Sequence, residues 1–314
     1  MKFLSDEQAA RLRKKKHLSI GITDSGLGGL AICADIVEGF KRFNAFEKIT
    51  VTYYNAWPEE NRGYNRIEDH DEKLKIFNRA LEGMLPYEPD IILIACNTLS
   101  VIYHETRFSG ETDIPVIDIV DFGVDLIHKD LTDNPGKNVL ITGTVTTIES
   151  EEHKRRLVTR DIAPSRITGQ ACDQLATTIE KGPMSPGALA LVEKYMLEAS
   201  KKLPDTTADT AIALCCTHFG YSADALQKDL QSHIEGSVSI LNPNRAMADF
   251  LVNLCGSDAS GSEPSSDIDL KVVSRIPWNK EKISAISAII EKTSPMTVKA
   301  LKNYSFIPNL FPVD

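Results

Sequence analysis

The hydrophobic positions of this chain fall into short continuous runs and into longer segments with helical spacing. One of the short runs, 91–95, is Ile-Ile-Leu-Ile-Ala and stops abruptly at Cys96, Asn97 and Thr98. A run this continuous and this rich in isoleucine predicts a strand that is buried on both faces, as in a parallel sheet. Polar groups just past the carboxyl end of such a strand lie where open α/β sheets bind their ligands.

A second apolar run has the same design. Residues 210–214 are followed by Cys215, Cys216, Thr217 and His218. Two thiols at the ends of two similar strands predict a site formed between two related halves. Cys215 and Cys216 both compete for that role, and because neighbouring strand residues point to opposite faces, only one of them is expected to reach the site.

The remaining pattern alternates strands with helices, which predicts an α/β fold of two similar domains with mainly parallel sheets. Further strands are expected at 18–23, 49–54, 115–120, 139–142, 166–171, 238–241 and 270–273. Helices are expected at 31–40, 69–84, 101–107, 187–202, 224–234, 280–292 and 296–303, with a short one closed by Glu180. The Ser/Gly-rich segment 256–267 is expected to be an exposed loop.

The order of these elements also predicts the division into domains. We expect a discontinuous first domain made of 18–119 and 238–314 and a second domain of 120–237, with the active site in the cleft between them. Residues 1–17 are polar and charged, and they are expected to form a helical or frayed N-terminal extension.

The first strand ends at a glycine-rich turn, Asp24-Ser25-Gly26-Leu27-Gly28-Gly29-Leu30. The glycines allow a tight turn and close backbone approach, and the free amides of such a turn can hold a carboxylate as readily as a phosphate. The turn matches neither the dinucleotide-binding motif nor a phosphate loop. Asp24, at the end of its strand, is expected to lie close to a thiol from another strand.

Composition and charge narrow the class of protein. The chain has 314 residues and a formal net charge of −9, which argues against a nucleic-acid backbone or an anionic membrane as the main partner. The sequence has no apolar run long enough for a membrane span and no secretory signal. Its six cysteines lack the spacing of a disulfide framework, so a reduced, cytoplasmic protein is expected.

The thiols are therefore candidates for chemistry. Cys96 and Cys216 have hydrogen-bonding neighbours that a core strand would not need, whereas Cys33 and Cys255 have none and are expected to be core or surface residues. A histidine beside a thiol can lower the thiol pKa from its ordinary value of about 8.5 or carry protons to it. His218 is placed to do so for Cys216.

Three ordered segments resemble the signatures of the aspartate/glutamate racemase superfamily, and most of all those of its glutamate racemases. They are 24–30, 95–98 and 216–218, and the resemblance spans about residues 18–250, with further similarity at 143–147 and 172–180. It implies cofactor-independent racemisation of an amino acid, namely the interconversion of L- and D-glutamate. It also implies a supply of D-glutamate for peptidoglycan synthesis and a possible homodimer.

The resemblance further implies a role for individual residues. One cysteine, as thiolate, removes the α-proton, and the other, as thiol on the opposite face, returns one, with Asp24 assisting Cys96 and His218 assisting Cys216. Glu180 corresponds to a carboxylate that orients the histidine. The substrate-binding residues are then Ser25, Asn97, Thr98, Thr144, Thr147 and Thr217.

Two segments depart from the glutamate racemase pattern. The Tyr-x-Gly-Asp and Pro-Tyr-Gly segments of that family are here Tyr-Tyr-Asn-Ala at 53–56 and Arg-Gly-Tyr-Asn at 62–65, and His-Tyr-Pro-Leu is His-Phe-Gly-Tyr at 218–221. Gly63 and Tyr64 are expected to replace the missing substrate contacts. Arg62 is either an ordinary loop charge or a sign of a different acidic side chain.

Four alternatives remain open at the level of sequence. An aspartate racemase or related two-cysteine isomerase would share the same motifs, and a thiol hydrolase would use Cys216 and His218 and leave Cys96 dispensable. A small-molecule binding protein could have the same two-domain frame. A metal site is disfavoured, because Cys96, Cys216 and His218 match no common zinc spacing.

Overall fold

The computed structural model describes residues 3–42, 46–256 and 267–313, with only the backbone described at positions 255 and 256. Most of the predicted loop 256–267 and the side chain of Cys255 therefore lie outside the described part. The chain forms two compact units. The first unit comprises residues 1–118 and 244–314, and the second unit comprises residues 119–243.

The strands and helices alternate along both units. The strands are β1 (His17–Asp24), β2 (Lys48–Asn55), β3 (Ile91–Ile94), β4 (Val116–Asp118), β5 (Asn138–Gly143), β6 (Ile167–Ala171), β7 (Thr210–Cys215), β8 (Val238–Leu241), β9 (Asp267–Ser274) and β10 (Ser305–Phe306). The helices are α1 (Asp6–Arg13), α2 (Leu30–Phe40), α3 (His70–Glu82), α4 (Asn97–Tyr103), α5 (Arg107–Glu111), α6 (Ile119–Asp133), α7 (Val145–Glu149), α8 (Glu152–Val158), α9 (Leu175–Ile179), α10 (Pro186–Ser200), α11 (Ala223–Gln231), α12 (Pro243–Gly256), α13 (Lys280–Ile290) and α14 (Pro295–Lys302).

Each unit contains one parallel sheet. Among the described residues, the first sheet has the strand order β10-β9-β2-β1-β3-β4 and the second has the order β6-β5-β7-β8. The pairings between these strands are parallel throughout. The expected α/β fold with parallel sheets is therefore confirmed.

The central strands are buried on both faces, as the apolar runs predicted. All four residues of β3 and all six of β7 are buried. Because parallel strands need crossover helices, those helices cover both faces and bury the strands completely. The carboxyl ends of β3 and β7, where the thiols follow, lie at the ligand-binding edge of their sheets.

Strand β8 shows that the predicted boundary at residue 238 is wrong. This strand pairs with β7, from Thr210 beside Val238 to Ala213 beside Leu241, so it completes the sheet of the second unit. The chain returns to the first unit only at Asn244. A short connection after α11 is enough to place the next parallel strand beside β7, and the sequence pattern alone did not specify which sheet would receive it.

Several helices differ from expectation. The strand expected at 115–120 ends at Asp118, and α6 begins at Ile119 with buried apolar residues at helical spacing. The helix expected at 101–107 is instead two helices, α4 and α5, and α4 begins immediately after Cys96. Helices α6, α7, α8 and α12 and strand β10 were not predicted.

The N-terminal extension is an ordered part of the first unit. Ser5 and Gln8 form a capping box at the start of α1, in which each side chain binds the backbone amide of the other residue. Leu12 is fully buried. Arg13 donates a hydrogen bond from Nε to the carbonyl of Leu254, at 2.8 Å. Within the described ranges, no helix has the length and apolar character needed to cross a membrane.

Candidate active site

The two thiols occupy equivalent positions in the two sheets. Strand β3 lies between β1 and β4, and β7 lies between β5 and β8. Each thiol residue precedes a helical turn in extended conformation, with φ −154° and ψ 117° at Cys96 and φ −149° and ψ 126° at Cys216. Neither side chain caps its helix. Neither sulfur atom is therefore used to stabilise the start of a helix, and both lie at the carboxyl edge of a sheet.

In the first unit, Cys96 lies beside Ser25. The Ser25 Oγ and Cys96 Sγ atoms are 3.2 Å apart, and Cys96 is only 5% exposed. Burial, with a further contribution from the negative charge of Asp24, raises the pKa of the Cys96 thiol to about 12, although the hydrogen bonds with Ser25 oppose this shift. In this environment Cys96 is a protonated thiol at neutral pH.

The carboxylate of Asp24 is held by the glycine-rich turn that follows it. Its Oδ1 accepts a hydrogen bond from the amide of Gly26 at 2.8 Å, and its Oδ2 accepts one from the amide of Gly29 at 2.7 Å. The turn amides therefore bind a carboxylate, as expected, but it is the carboxylate of the chain itself. Asp24 is fully buried, so its position next to the thiol strand is fixed.

Close packing explains the glycine at position 29. A Cβ atom on Gly29 would lie 2.8 Å from Asp24 Oδ2 and 3.0 Å from Ala95 Cβ. Both distances are shorter than normal contacts, so a larger residue would displace either the carboxylate or the segment that leads into Cys96. The turn and the thiol strand are thus packed directly against each other.

The helix that follows Cys96 brings two more predicted residues to this edge. Asn97 and Thr98 form the first turn of α4 and are 2% and 3% exposed. The Oδ1 and Nδ2 atoms of Asn97 are buried and have no hydrogen-bond partner among the described residues. An amide buried in this way is costly without a ligand, because an unsatisfied polar group loses its hydration.

The loop after β2 places Gly63 and Tyr64 in the interior of the first unit. Tyr64 begins a short 3-10 helix and is 1% exposed, and its hydroxyl has no hydrogen-bond partner among the described residues. Trp57 packs so closely over Gly63 that a Cβ there would lie 2.5 Å from the indole ring. Arg62 is paired with Glu72 through two hydrogen bonds of 2.7 Å, which favours its reading as a loop charge.

In the second unit, Cys216 is the first member of a hydrogen-bonded row. Its Sγ lies 3.8 Å from Nδ1 of His218, and Nε2 of His218 lies 2.7 Å from Oε1 of Glu180. Burial by itself lowers the pKa of His218, but the hydrogen bonds and charges of Cys216 and Glu180 outweigh this effect and raise it well above the ordinary value. The histidine is therefore an imidazolium held between a thiol and a carboxylate.

Three predicted threonines line the same edge of the second sheet. Thr144 caps α7, and its Oγ1 lies 3.0 Å from Oγ1 of Thr147. Thr217 is 2% exposed and directly follows Cys216. Because Thr144 follows β5 as Ser25 follows β1, the two hydroxyl residues occupy equivalent places beside the two thiol strands.

The other cysteines with described side chains lie in apolar surroundings. Cys215 is fully buried, and its Sγ is 3.9 Å from the position of a Cβ on Gly123 in α6. Cys172 is 1% exposed, and burial raises its thiol pKa, as it does for Cys215. Burial in α2 raises the pKa of Cys33 to about 12. These thiols lack the paired imidazolium that distinguishes Cys216.

Two residues that support the turn were not predicted. The hydroxyl of Tyr53 and the Nδ2 of Asn55 both donate hydrogen bonds of 2.8 Å to the carbonyl of Gly26. Asn55 pairs with Asp24 across β2 and β1. The sequence held one signal for Asn55. It is a polar residue at the end of an apolar strand, just as Asp24 is.

The structure thus places the predicted residues in two clusters, one in each unit. Ser25, Asp24 and Cys96 come together in the first unit, and Cys216, His218 and Glu180 come together in the second. No group of three or more His, Cys, Asp or Glu side chains suited to a metal ion occurs in the described part of the chain. The arrangement offers one thiol beside a serine hydroxyl and one beside an imidazolium, and each unit adds hydroxyl or amide groups suited to a carboxylate.

Comparison with known proteins identifies relatives with this fold. The glutamate racemase of Campylobacter jejuni is 27% identical over 234 residues, which cover 74% of this chain and 84% of the relative. That of Aquifex pyrophilus is 27% identical over 247 residues, covering 78% and 86%. The crystal structure of Francisella tularensis glutamate racemase in complex with D-glutamate superimposes with a TM-score of 0.65 at 20% identity, covering 87% of this chain and 94% of that one.

The family assignment rests on a match over most of the chain. The profile of the Asp/Glu/Hydantoin racemase family matches residues 21–251, which include both thiol strands, the glycine-rich turn and Glu180. The relatives compared above carry the names of isomerases. The chain therefore belongs to the Asp/Glu/Hydantoin racemase family and is an enzyme of the isomerase class.

Proposed function

We propose that this enzyme interconverts L- and D-glutamate by transferring protons between the α-carbon and two cysteines, Cys96 and Cys216. The observation that carries the proposal is the equivalent placement of the two thiols, each at the carboxyl end of a central buried strand and each beside a polar partner. The names of the relatives support glutamate as the substrate. No cofactor is required for the proposed steps.

The proposed reaction has two proton transfers. One cysteine, as thiolate, takes the α-proton, and the C–H electron pair stays on carbon as a carbanion conjugated with the carboxylate. The other cysteine, as thiol, donates a proton to the opposite face, which inverts the centre and leaves that sulfur as the thiolate. A planar carbanion is reprotonated from the far side only if an acid and a base flank it.

The two clusters are suited to opposite roles at the start of a turnover. Burial and Asp24 favour the neutral thiol at Cys96. Cys216 instead has the imidazolium of His218 as its neighbour, at 3.8 Å, and a neighbouring cation is the partner that a reacting thiolate needs. We therefore assign the starting base to Cys216 and the starting acid to Cys96 for one enantiomer. The reverse reaction begins from the complementary protonation state.

The substrate carboxylates need donors that are already in place before the carbanion forms. Asn97 supplies a buried amide that has no hydrogen-bond partner within the described ranges. In our proposal Ser25, Thr98, Thr144, Thr147 and Thr217 supply the remaining hydrogen bonds, and Gly63 and Tyr64 close the site in the first unit. Glu180 is a positioning residue, because it acts on the thiol only through His218.

The proposal predicts that each thiol is indispensable. Cys96→Ser and Cys216→Ser should each reduce the interconversion of glutamate enantiomers by about 10²- to 10⁴-fold, because a serine hydroxyl is a far weaker acid than a thiol and a poor base at neutral pH. The rate is measured by circular dichroism, because the two glutamate enantiomers have signals of opposite sign. Cys215→Ala is the matched control, and it should leave the rate nearly unchanged.

The result that would overturn the proposal is equally specific. If Cys96→Ser keeps full activity while Cys216→Ser abolishes it, only one thiol takes part and a Cys-His nucleophile becomes the better account. Mass spectrometry of the enzyme with substrate would then show a covalent adduct on Cys216. If neither glutamate enantiomer is turned over by the unmodified enzyme but aspartate is, the substrate assignment fails and the racemase mechanism remains.

A further inference from the structure

Arg275 is a half-buried cation in the first unit, and no ion pair to it occurs among the described residues. It directly follows β9, and its Nε and Nη1 atoms are buried and make no hydrogen bond within the described part. The guanidinium lies over the ring of Phe311, 5.1 Å from its centre. Cation–π contact offsets part of the cost of desolvating these two nitrogens, but it gives neither of them a hydrogen-bond acceptor.

The strand register places Arg275 in the same row of the sheet as Cys96. Ser274 pairs with Asn55, Asn55 pairs with Asp24, and Ile94 pairs with Thr23. The backbone continues alongside β1 beyond these pairs, since the amides of Ala56 and Ala95 bond to the carbonyls of Asp24 and Thr23 at 2.8 Å. One step further along the register gives the row Cys96, Ser25, Ala56 and Arg275.

Members of one row point to the same face of a sheet. Ser25 and Cys96 do so, because their side chains touch at 3.2 Å. Phe311, which Arg275 covers, belongs to the same buried apolar cluster as Ala56, Tyr64 and Cys96. Ser274 points the other way, toward Asn55. Arg275 is thus on the Cys96 side of the sheet edge.

The spacing of the row fits a dicarboxylic amino acid. Neighbouring strands are about 4.8 Å apart, so three strand spacings put the backbones of Cys96 and Arg275 roughly 14 Å from each other. An extended arginine side chain covers roughly half of that separation. Ala56, the residue next to Arg275 in the row, has only a methyl group, which leaves space above it for the carbon chain of a ligand.

Tyr64 lies within electrostatic reach of both ends of this row. Burial raises its pKa well above the ordinary value, the neighbouring Cys96 adds to that shift, and the positive charge of Arg275 opposes it. Its hydroxyl is buried without a hydrogen-bond partner among the described residues. A carboxylate bound by Arg275 would also give this hydroxyl an acceptor.

We propose that Arg275 binds the side-chain carboxylate of the amino acid whose α-carbon reacts at Cys96, and so selects an acidic substrate. This inference rests on the proposed racemase function. Arginine suits the task because its planar guanidinium donates paired hydrogen bonds to a carboxylate and stays charged at every physiological pH. The sequence signal was weak, since Arg275 follows a short apolar strand outside the motifs that identified the site.

The test compares Arg275→Met with the unmodified enzyme on glutamate and on glutamine, its neutral isostere. Methionine keeps apolar contact with Phe311 but removes the charge. We expect kcat/KM for glutamate to fall by about 10- to 100-fold, mainly through KM, because a hydrogen-bonded charge pair with the substrate is lost. The rate with glutamine, measured by α-proton exchange in deuterated water, should not fall. Arg275→Lys should recover part of the loss.

Each other outcome is decisive. An unmodified enzyme that exchanges the α-proton of no amino acid would refute the proposed function itself. An active enzyme in which Arg275→Met changes neither kcat/KM nor the preference over glutamine would refute the inference alone. Equal losses for glutamate and glutamine would assign Arg275 a purely structural role. Should Arg275→Met fail to fold, Arg275→Lys still tests the inference. Lysine is shorter and cannot donate two parallel hydrogen bonds to a carboxylate, so an unchanged KM for glutamate in Arg275→Lys would contradict the inference.

Discussion

At the scale of single residues, the two thiols differ in their surroundings more than in their backbone. Both are N-terminal to a helical turn and have nearly equal φ and ψ angles. Cys96, however, is next to a buried aspartate, whereas Cys216 is next to a histidine that is itself paired with Glu180. One neighbour is an anion and the other a cation, so the two thiols lie in electrostatically opposite surroundings, and our proposal assigns them opposite roles on this basis.

The pair formed by His218 and Glu180 gives a prediction for stability against pH. The pKa of His218 is higher in the folded chain than in the unfolded chain, where it is about 6.5. Its stabilisation is therefore complete below that value and is lost as the pH rises through the folded-state pKa. Glu180→Gln should lower the free energy of unfolding by about 3 kcal/mol near pH 6, and by progressively less at alkaline pH.

Urea unfolding at a series of pH values measures this difference. The pair of His233 and Asp229 is the matched control, because it is also a histidine and a carboxylate, 3.3 Å apart, but both side chains are about a quarter exposed. Asp229→Asn should cost less than about 1 kcal/mol. A loss for Glu180→Gln that stays constant from acid to alkaline pH would show that the charge of His218 contributes nothing.

The sequence contained the residues of both clusters but not all of their contacts. Cys96, Ser25, Cys216 and His218 lie at or just past the ends of apolar runs, and this local signal is strong. The support of the Gly26 carbonyl by Asn55 depends instead on which strand lies beside β1. Strand order is a long-range property, so a pattern of single residues does not specify it.

At the scale of elements, the turn between β1 and α2 packs against the segment that leads from β3 to Cys96. Gly29 is in ordinary right-handed helical conformation, with φ −66°, so the glycine is needed for space and not for backbone freedom. Its neighbours are the carboxylate of Asp24 and the backbone and side chain of Ala95. Any change at Gly29 therefore acts on the positions of Asp24 and Cys96 together.

Gly29→Ala should consequently impair catalysis more than folding. A Cβ atom 2.8 Å from Asp24 Oδ2 and 3.1 Å from the Ala95 carbonyl must shift one of them, and a displacement of this kind at a reacting group costs about 10²-fold in rate. Racemisation rate and thermal melting of the purified variant measure the two effects. Gly110→Ala is the control, since nothing lies within 4 Å of a Cβ there. Equal rates for both variants would contradict the packing argument.

Two features of the sequence explain why several helices were not predicted. In α6, the buried positions begin at Ile119 and Val120, directly after the buried residues of β4, so strand and helix form one uninterrupted apolar segment in the sequence. No glycine or proline marks the junction at Asp118. The short helices α7 and α8 have only one or two buried residues each, which is too few for a periodic pattern.

At the scale of the whole molecule, the two units repeat one design. The order β2-β1-β3-β4 in the first sheet matches β6-β5-β7-β8 in the second, and the first sheet is extended by β9 and β10. The equivalence reaches single hydrogen bonds. The amide of Ala56 donates to the carbonyl of Asp24 at 2.8 Å, and the amide of Cys172 donates to the carbonyl of Gly143 at the same distance.

This repetition explains why the sequence was informative about function. Two similar apolar runs, each ended by a thiol, were visible without any structure, and the shared strand order accounts for both. Among the strands of the described ranges, the extension of the first sheet by β9 and β10 has no counterpart in the second unit. The repeat therefore gave no indication of Arg275, which directly follows β9 in this extension and to which we assign a role in substrate binding.

The most direct test of the two-thiol account is the fate of the α-hydrogen in deuterated water. Starting from a single glutamate enantiomer, the product should carry deuterium at the α-carbon from the first turnover, because the donating thiol has already exchanged with solvent. The remaining substrate should still carry hydrogen at low conversion. Deuterium that enters substrate and product at equal rates, or a product that keeps the original hydrogen, would show that one group handles both transfers and would contradict the account.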